Sequence, residues 1–214
     1  MTMSQAVRAL TRHRPQGQRE KILQGAANAF SQLGFRATTM DDIAKEVGAT
    51  RGLVYYHFRS KAQIFHELHM FTLTELIENF HREVDLDDEP VKQLSDAIKA
   101  HVKFCCMNLT LAGVTGRMME VQYARDFPKR YRADIVAKRD EYEHLVQEIV
   151  RDGIAKGVFR DTDVTIAVKN LLGAVNWQSF WYRPKGRLSA EVLARVTADV
   201  LVNGLQSAPG ASRA

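Results

Sequence analysis

The sequence predicts an all-helical protein in which a small N-terminal helix-turn-helix domain precedes a larger helical body. Apolar residues recur at helical spacing over long stretches, and these stretches are separated by short segments that contain glycine or polar residues. The chain has only five prolines in 214 residues. Its basic character belongs to one end, because residues 1–62 carry ten Lys and Arg against four Asp and Glu, and the rest has a net charge of −1. This asymmetry indicates a polyanion-binding end joined to a nearly neutral body.

The individual helices follow from apolar stripes and from end signals. A first helix begins near Gln18 and stops at Gly34, a typical C-terminal residue. Thr39 caps a second helix that ends at Gly48, and Thr50 caps a third of about two turns. Later helices are expected over residues 60–84, 91–112, 117–124, 129–156, 163–182 and 189–205. We place the helix-turn-helix domain at 18–64 and the helical body at 65–207, between a basic arm at 1–17 and a disordered tail at 208–214.

Residues 1–19 contain four arginines, and no acidic residue comes before Glu20. This segment lacks an apolar core, so it is not a secretory signal. Its composition is also typical of a mitochondrial transit segment, but a disordered basic arm or a solvated tail is a simpler interpretation. No apolar run is long enough to span a membrane, and the adjacent Cys105 and Cys106 are expected to be small buried hydrophobes. We expect a cytoplasmic protein without a bound metal or cofactor.

The segment TTMDDIAKEVGATRGLVYYHF, residues 38–58, predicts two helices joined by a tight turn. Ala44 permits a close helix crossing, Gly48 suits the turn, and Val54 fills the gap between the helices. Leu53 is expected to point inward beside Val54. The outward residues of the third helix are then Arg51, Gly52, Tyr55 and Tyr56. The arginine is suited to base edges or phosphate, the glycine allows close approach of the backbone, and the tyrosine hydroxyls are suited to phosphate oxygens.

Two cations occupy first turns of helices, where a positive charge is mildly unfavourable. A bound phosphate would account for Arg51 and Lys61 there, and Thr38 and Thr39 are placed to serve a phosphate in the same way. The alternative is a small helical subdomain whose basic face only keeps it soluble.

Residues 18–65, with AANAFSQLGFRATTMDDIAKEVGATRGLVYYHFRSKAQIF, closely resemble the DNA-binding domain of TetR-family transcriptional repressors. The resemblance implies a homodimer with about nine helices per subunit that binds a palindromic operator in double-stranded DNA. By position it assigns DNA contacts to Thr39, Arg51, Tyr55, Tyr56, His57 and Lys61. Thr38, Thr50 and Gly52 complete the predicted DNA-binding set.

The helix predicted from Asp163 to Tyr182 is apolar almost all round, so it should be buried on more than one side. In TetR-like proteins the last two helices form a four-helix bundle with the partner, and we therefore expect a homodimer through these helices. Trp177 and Trp181 lie on one face, with Gln178 beside them. They are either core and interface packing or an apolar slot for a hydrophobic effector.

The phrase FWYRPKGRLSAE resembles the C-terminal part of TetR-like regulators that respond to acyl-CoA thioesters. Such a ligand needs an apolar groove and cations that bind its phosphates. Several arginines and lysines are available for this role, and the alternative is that they are solvated surface residues. His101 and Asn108 lie on an apolar face and are expected to line a pocket. The predicted effector-binding set is His101, Asn108, Arg117, Trp177, Gln178 and Trp181.

Two other functional classes match parts of the sequence. Glu78-x-x-His81 and Glu141-x-x-His144 match a pattern of di-iron helical bundles, but they lie opposite the apolar stripes of their helices. We therefore expect no metal site and no enzyme. The second alternative is a helical ligand-binding dimer that does not bind DNA.

Overall fold

The computed structural model describes residues 17–116 and 127–207, and these residues contain nine α-helices. They are α1 (Gln18–Ala37), α2 (Met40–Glu46), α3 (Arg51–His57), α4 (Lys61–Glu83), α5 (Pro90–Met107), α6 (Leu109–Gly116), α7 (Lys129–Ala155), α8 (Val164–Trp181) and α9 (Ala190–Asn203). Phe159 and Gln206 form an isolated bridge. The predicted all-α fold class is confirmed.

Local signals set most helix ends. Thr39, Thr50, Asp163 and Ser189 are N-caps, and the side-chain oxygen of each accepts a hydrogen bond from the backbone N–H three residues on. Gly34 has a φ of 78° and interrupts the helical backbone near the end of α1. This positive φ costs glycine little. The predicted caps are confirmed, and Gly34 breaks the helix at the predicted position, although α1 resumes and ends at Ala37.

One helix predicted as continuous is divided. The sequence predicts a helix over 91–112, but α5 ends at Met107 and α6 begins at Leu109. Asn108 lies at the break, and its carbonyl accepts the first hydrogen bond of α6 from the Ala112 N–H, at 2.8 Å. Asparagine is a weak helix former because its short side chain competes for backbone hydrogen bonds. The helix predicted over 117–124 lies outside the described residues.

The chain divides into two compact units. The first contains α1 to α3, α4 as far as Thr74, and the described residues between Met107 and Lys138, which include α6. The second contains Glu75–Cys106 and the described residues from Arg139 onward. This division differs from the predicted domains, because α4 and α7 each contribute to both units and α6 belongs with the N-terminal helices.

Four phenylalanines form the centre of the first unit. The ring of Phe65 on α4 lies 5.6 Å from Phe30, 4.8 Å from Phe35 and 5.8 Å from Phe127, in tilted or edge-to-face arrangements. α1 packs against α2 and α6, and α2 packs against α3. Val54 is fully buried in the same core and holds α3 against it.

A lysine clamp fixes the chain between α1 and α2. The Lys61 ammonium at the start of α4 donates hydrogen bonds to the carbonyls of Phe35, Arg36 and Thr38, each at 2.9 Å. It also lies 4.8 Å from the centre of the Phe35 ring. These carbonyls have no intrahelical donors at the end of α1, so Lys61 supplies a positively charged cap from a distant helix.

Polar contacts connect the helices of the second unit around its apolar core. Leu94, Val102, Val150, Val168 and Ala198 are fully buried there. The Lys169 ammonium on α8 lies 3.0 Å from both carboxylate oxygens of Glu143 on α7. The amide of Gln178 on α8 donates to the Thr197 hydroxyl on α9 at 2.7 Å. These contacts fix the register of α8 against its two neighbours.

Replacement of Lys61 by Met should destabilise the protein without a change of fold. The three carbonyls lose a charged donor, and water compensates only in part, so we expect the free energy of unfolding to fall by about 1–2 kcal/mol. Denaturant unfolding followed by circular dichroism measures this change. Lys21→Met is the matched control, because Lys21 is exposed on α1 and should cost less than about 0.5 kcal/mol. Equal stability of the two variants would contradict the clamp.

Candidate nucleic-acid interface and ligand cavity

Local contacts fix the start of α2, and a glycine allows the turn between α2 and α3. The Thr39 hydroxyl accepts a hydrogen bond from the Asp42 N–H at 3.1 Å, and the Asp42 carboxylate accepts one from the Thr39 N–H at 2.9 Å. Hydrogen bonds from Thr39 lower the pKa of Asp42. Gly48 has a φ of 63°, which allows the chain to reverse before α3. Ala44 and Val54 are buried between the helices, as the sequence predicts.

The outer surface of α3 contains two tyrosines, an arginine and a glycine. Tyr56 is 83% exposed and Tyr55 is 41% exposed. The Arg51 guanidinium lies over the Tyr55 ring at 5.3 Å and 3.2 Å from the Asp41 carboxylate. The hydrogen bond to Tyr55, and then the Asp41 charge, raise the pKa of Arg51. Asp41 therefore offsets the positive charge in the first turn of α3 within the protein itself.

Gly52 lies on the outermost side of α3, beside open space. A Cβ atom built there would meet nothing within 4 Å, and the residue has no left-handed backbone. The protein's own packing thus does not require glycine at this position, although glycine weakens a helix by about 1 kcal/mol relative to alanine. Its absent side chain leaves room for a partner to approach the backbone of α3.

Three sequence predictions for this surface need correction. Thr38 is fully buried, and its hydroxyl donates to the Gly34 carbonyl at 2.7 Å, so its side chain does not reach the surface. Lys61 uses its ammonium on the three carbonyls described above, so it caps α1 and is not placed to hold a phosphate. Leu53, predicted to point inward, is 36% exposed.

The other predicted DNA-binding residues lie at or near this surface. Thr39 and Thr50 are exposed, and both hydroxyls cap helices. His57 is half-buried, and its ring meets Tyr56 edge-on at 5.1 Å. The predicted set that remains for an outside partner is Thr39, Thr50, Arg51, Gly52, Tyr55, Tyr56 and His57.

A small void lies within the second unit, among α5, α7 and α8. Its lining residues are Ala97, Ile98, His101, Tyr142, Val146, Leu171, Leu172 and Val175. The void is about the size of a single water molecule. It is therefore closed to a larger ligand unless the lining side chains separate.

His101 and Tyr142 provide the two polar side chains of this void. The Tyr142 hydroxyl and His101 Nδ1 are 3.1 Å apart, and both residues are buried. Burial lowers the pKa of His101 to about 4, and burial raises the pKa of Tyr142. At neutral pH the imidazole is uncharged and the phenol keeps its proton. The void thus offers an apolar wall with one neutral polar pair.

The structure brings only one member of the predicted effector set to this void. His101 lines it, but Trp177 and Trp181 are 63% and 44% exposed on α8, and Gln178 contacts α9 instead. Asn108 is buried in the first unit and does not line the void. Arg117 lies outside the described residues. The prediction that Trp177, Gln178 and Trp181 form the pocket is therefore wrong for this void.

Sequence reasoning also missed most of the lining. Tyr142, Val146 and Leu171 lie at helical spacing within apolar stretches, and this pattern predicts only that they are buried. Periodicity identifies the buried side of a helix but does not distinguish a packed core from the wall of a void. No local signal pairs Tyr142 with His101, which lies 41 residues away.

A broad apolar face remains exposed on the last two helices of the single chain. Its members are Ile166, Trp177, Phe180 and Trp181 on α8 and Val192, Val196 and Val200 on α9. The rings of Trp177 and Phe180 stack with their centres 5.1 Å apart. Exposed apolar side chains in this number on two successive helices are typical of surfaces that associate with another protein.

Residues 17–116 and 127–207 contain no cluster of three or more His, Cys, Asp and Glu side chains arranged to hold a metal. Within the same ranges no helix combines the length and the apolar character that a bilayer-spanning segment requires.

Two family models match the chain. The model for bacterial regulatory proteins of the tetR family matches residues 22–68, and the model for the tetracyclin repressor-like C-terminal domain matches residues 87–205. The first contains the α2–turn–α3 segment, and the second contains the void and the apolar face of α8 and α9.

Individual proteins agree with these matches. The HTH-type transcriptional repressor KstR2 of Mycolicibacterium smegmatis is 30% identical over 203 residues, which cover 94% of this chain and 96% of that protein. The crystal structure of the TetR-family regulator PfmR from Thermus thermophilus superposes with a TM-score of 0.75 at 30% identity, over 87% of this chain and 99% of PfmR. AibR, in complex with isovaleryl coenzyme A and operator DNA, shares the fold with a TM-score of 0.73 at 22% identity, over 89% and 98% of the two chains.

The sequence resemblance is thereby confirmed over both domains. An exposed α3 on a braced helix-turn-helix, together with family matches that extend from residue 22 to residue 205, identifies the chain. The protein belongs to the TetR family of bacterial regulatory proteins and is a DNA-binding transcriptional regulator.

Proposed function

We propose that the protein is a homodimeric repressor that binds a palindromic operator in the bacterial cytoplasm and releases it when an acyl-CoA thioester binds. The observation that carries the proposal is the outer surface of α3, where Gly52 and Tyr56 form an exposed ridge and no described residue lies within 4 Å of a Cβ atom built at Gly52. The relative KstR2 is a repressor, and AibR binds both isovaleryl coenzyme A and operator DNA.

The proposed DNA contact uses α3 as the recognition helix. Tyr56 offers a ring and a hydroxyl, and Arg51 offers a planar fork of donors that suits guanine edges or phosphate. Gly52 allows the helix backbone to approach the groove. These groups lie on one side of a helix whose other side is buried, so the whole surface can enter a major groove without unfolding the domain.

The proposed dimer pairs α8 and α9 with the same helices of a second copy. Four of the exposed apolar side chains on this face are 61%, 63%, 46% and 63% accessible, namely Ile166, Trp177, Val196 and Val200. Leaving them in water loses the hydrophobic stabilisation that burial would give. A two-fold dimer covers the same patch on both subunits and presents two recognition helices to two half-sites.

The proposed effector site is the closed void beside His101 and Tyr142. Its apolar wall suits an acyl chain, and entry requires the lining side chains to separate. A ligand that binds only the open form shifts the population of the protein toward that form. α4 continues from the first unit into the second, with Thr74 and Glu75 at the boundary. We propose that α4 transmits the opening to the DNA-binding helices.

The alternative, a ligand-binding dimer without DNA binding, is disfavoured by the family assignment and by the exposed surface of α3. The repressor and the dimer without DNA binding can be distinguished directly by selecting the genomic DNA fragments that the protein retains at low salt. A repressor should retain specific fragments, and its affinity should fall steeply as salt rises because Lys and Arg release counterions from phosphates.

Gly52→Ala is expected to separate stability from DNA binding. The new methyl group meets nothing in the protein, so the free energy of unfolding should be unchanged or should rise by up to about 1 kcal/mol. The same methyl group would lie between α3 and the groove, so operator affinity should fall by about tenfold or more, measured by fluorescence anisotropy. Gly113→Ala is the matched control, since Gly113 lies on α6 and its Cβ would also meet nothing within 4 Å. Equal operator affinity of the two variants would reject the contact surface.

Trp177→Glu is expected to produce monomers. Two new carboxylates would meet in the proposed dimer interface, where burial of unpaired charge is costly. Sedimentation velocity should show the dimer dissociated at micromolar concentration, and operator affinity should fall with it. Leu86→Glu is the control, because Leu86 is 58% exposed but lies outside α8 and α9. A Trp177→Glu protein that remains dimeric would place the interface elsewhere.

Ala97→Leu is expected to block the effector and spare the operator. The larger side chain fills the void, at a stability cost of about 1–3 kcal/mol from overpacking. The variant should bind operator normally but should not release it when acyl-CoA thioesters of increasing chain length, beginning with isovaleryl-CoA, are added. Ala133→Leu, at an exposed position of α7, is the control. Should Ala97→Leu fail to fold, Ala97→Val tests the same point, and a normal response in either variant would contradict the site.

A further inference from the structure

Leu53 is an exposed leucine within the recognition helix. It is 36% exposed, whereas the next residue, Val54, is fully buried and fills the gap between α2 and α3. Phe58, directly after α3, is also fully buried. The inner side of the helix is therefore occupied by other residues. Leu53 is not the side chain that anchors α3, and its exposed part is accessible to a partner of the protein.

The surroundings of Leu53 divide α3 into two unlike flanks. On one flank Arg51 and Tyr55 are held together and connected to Asp41. On the other flank Leu53 lies one turn before the half-buried His57. Gly52 and Tyr56 form the ridge between these flanks. Leu53 thus presents a purely apolar surface beside a ridge that faces the DNA in the proposed complex.

We propose that Leu53 packs against the 5-methyl group of a thymine in the major groove and thereby specifies a thymine–adenine pair at that step of the operator. The 5-methyl group of thymine is the apolar group that base pairs expose in the major groove. The other base edges carry hydrogen-bonding groups, which lose water without compensation when leucine covers them. This inference rests on the proposed operator binding.

The local geometry allows a short side chain to reach the bases. Gly52 has no side chain, so the backbone of α3 next to Leu53 can approach the groove closely. The backbone N–H of Leu53 donates to the Thr50 hydroxyl at 3.2 Å, which fixes Leu53 in the first turn of the helix. Recognition helices commonly direct their N-terminal residues at base edges.

The test uses the operator duplex recovered from genomic DNA, with each thymine replaced in turn by deoxyuridine. This change removes one methyl group and leaves the hydrogen-bonding groups in place. At the symmetry-related positions that contact Leu53, uracil should weaken binding by the wild-type protein about fourfold per methyl group, the value expected for loss of one buried carbon. Leu53→Ala should weaken binding to the thymine operator, and for this variant the uracil substitution should have no further effect.

Leu33→Ala is the matched control, because Leu33 is 52% exposed on α1 and has no place in the proposed contact. It should bind both operators like the wild type. If no single uracil weakens wild-type binding, or if Leu53→Ala remains sensitive to the same uracil, the inference is wrong although operator binding stands. A weakened Leu53→Ala with no uracil-sensitive position would assign Leu53 to sugar or phosphate packing instead. If no duplex is bound at all, the proposed function fails first.

Discussion

The burial of Val54 is the contact on which the DNA-binding face depends. α3 has seven residues, and a helix of this length is not stable alone in water. Val54 is fully buried against the core of the first unit, and Thr50 caps the first turn. α3 therefore exists because the surrounding domain holds it, and its own helix propensity contributes little.

Because Val54 and the Thr50 cap hold α3 in place, the residues on its outer side need not contribute to the stability of the fold. Glycine at position 52 lowers helix propensity, and a tyrosine that is 83% exposed contributes little to the fold, yet neither disturbs the packing of Val54. The Arg51 charge in the first turn is similarly compensated, because Asp41 lies 3.2 Å away. Its position near a helix start is thus explained by the protein alone. The case for DNA contact rests on the exposed ridge and the family assignment, and not on an uncompensated charge.

The sequence predicted those features that are set by neighbouring residues. The caps at Thr39 and Thr50 and the break in α1 at Gly34 follow from local backbone chemistry, and all three are present. Features set by distant residues were not predictable in this way. The position of Lys61 in the first turn of a helix predicted a contact with phosphate. Its ammonium instead caps carbonyls that lie 23 to 26 residues earlier, at the end of α1 and directly after it.

Adjacent apolar residues are a second limit of sequence reasoning. Leu53 and Val54 point about 100° apart on α3, and only tertiary packing decides which of them is buried. On α8 nearly every side is apolar, so Trp177 and Leu171 give the same periodic signal although one is 63% exposed and the other lines the void. A core, a dimer interface and a ligand wall all require apolar side chains. Their separation needs the three-dimensional positions of the neighbouring helices.

The closed state of the void constrains the proposed release mechanism. Moving a two-state equilibrium from one side almost completely to the other requires a difference in binding free energy of about 5.5 kcal/mol. At about 0.8 kcal/mol for each buried methylene, this corresponds to roughly seven methylene groups, shared between two subunits, before any cost of opening is met. Since the void is about the size of one water molecule, its lining side chains must move apart to admit a larger ligand, and that cost is not zero. In the proposed mechanism, the apolar part of the effector must therefore exceed a minimum size before its binding can open the void.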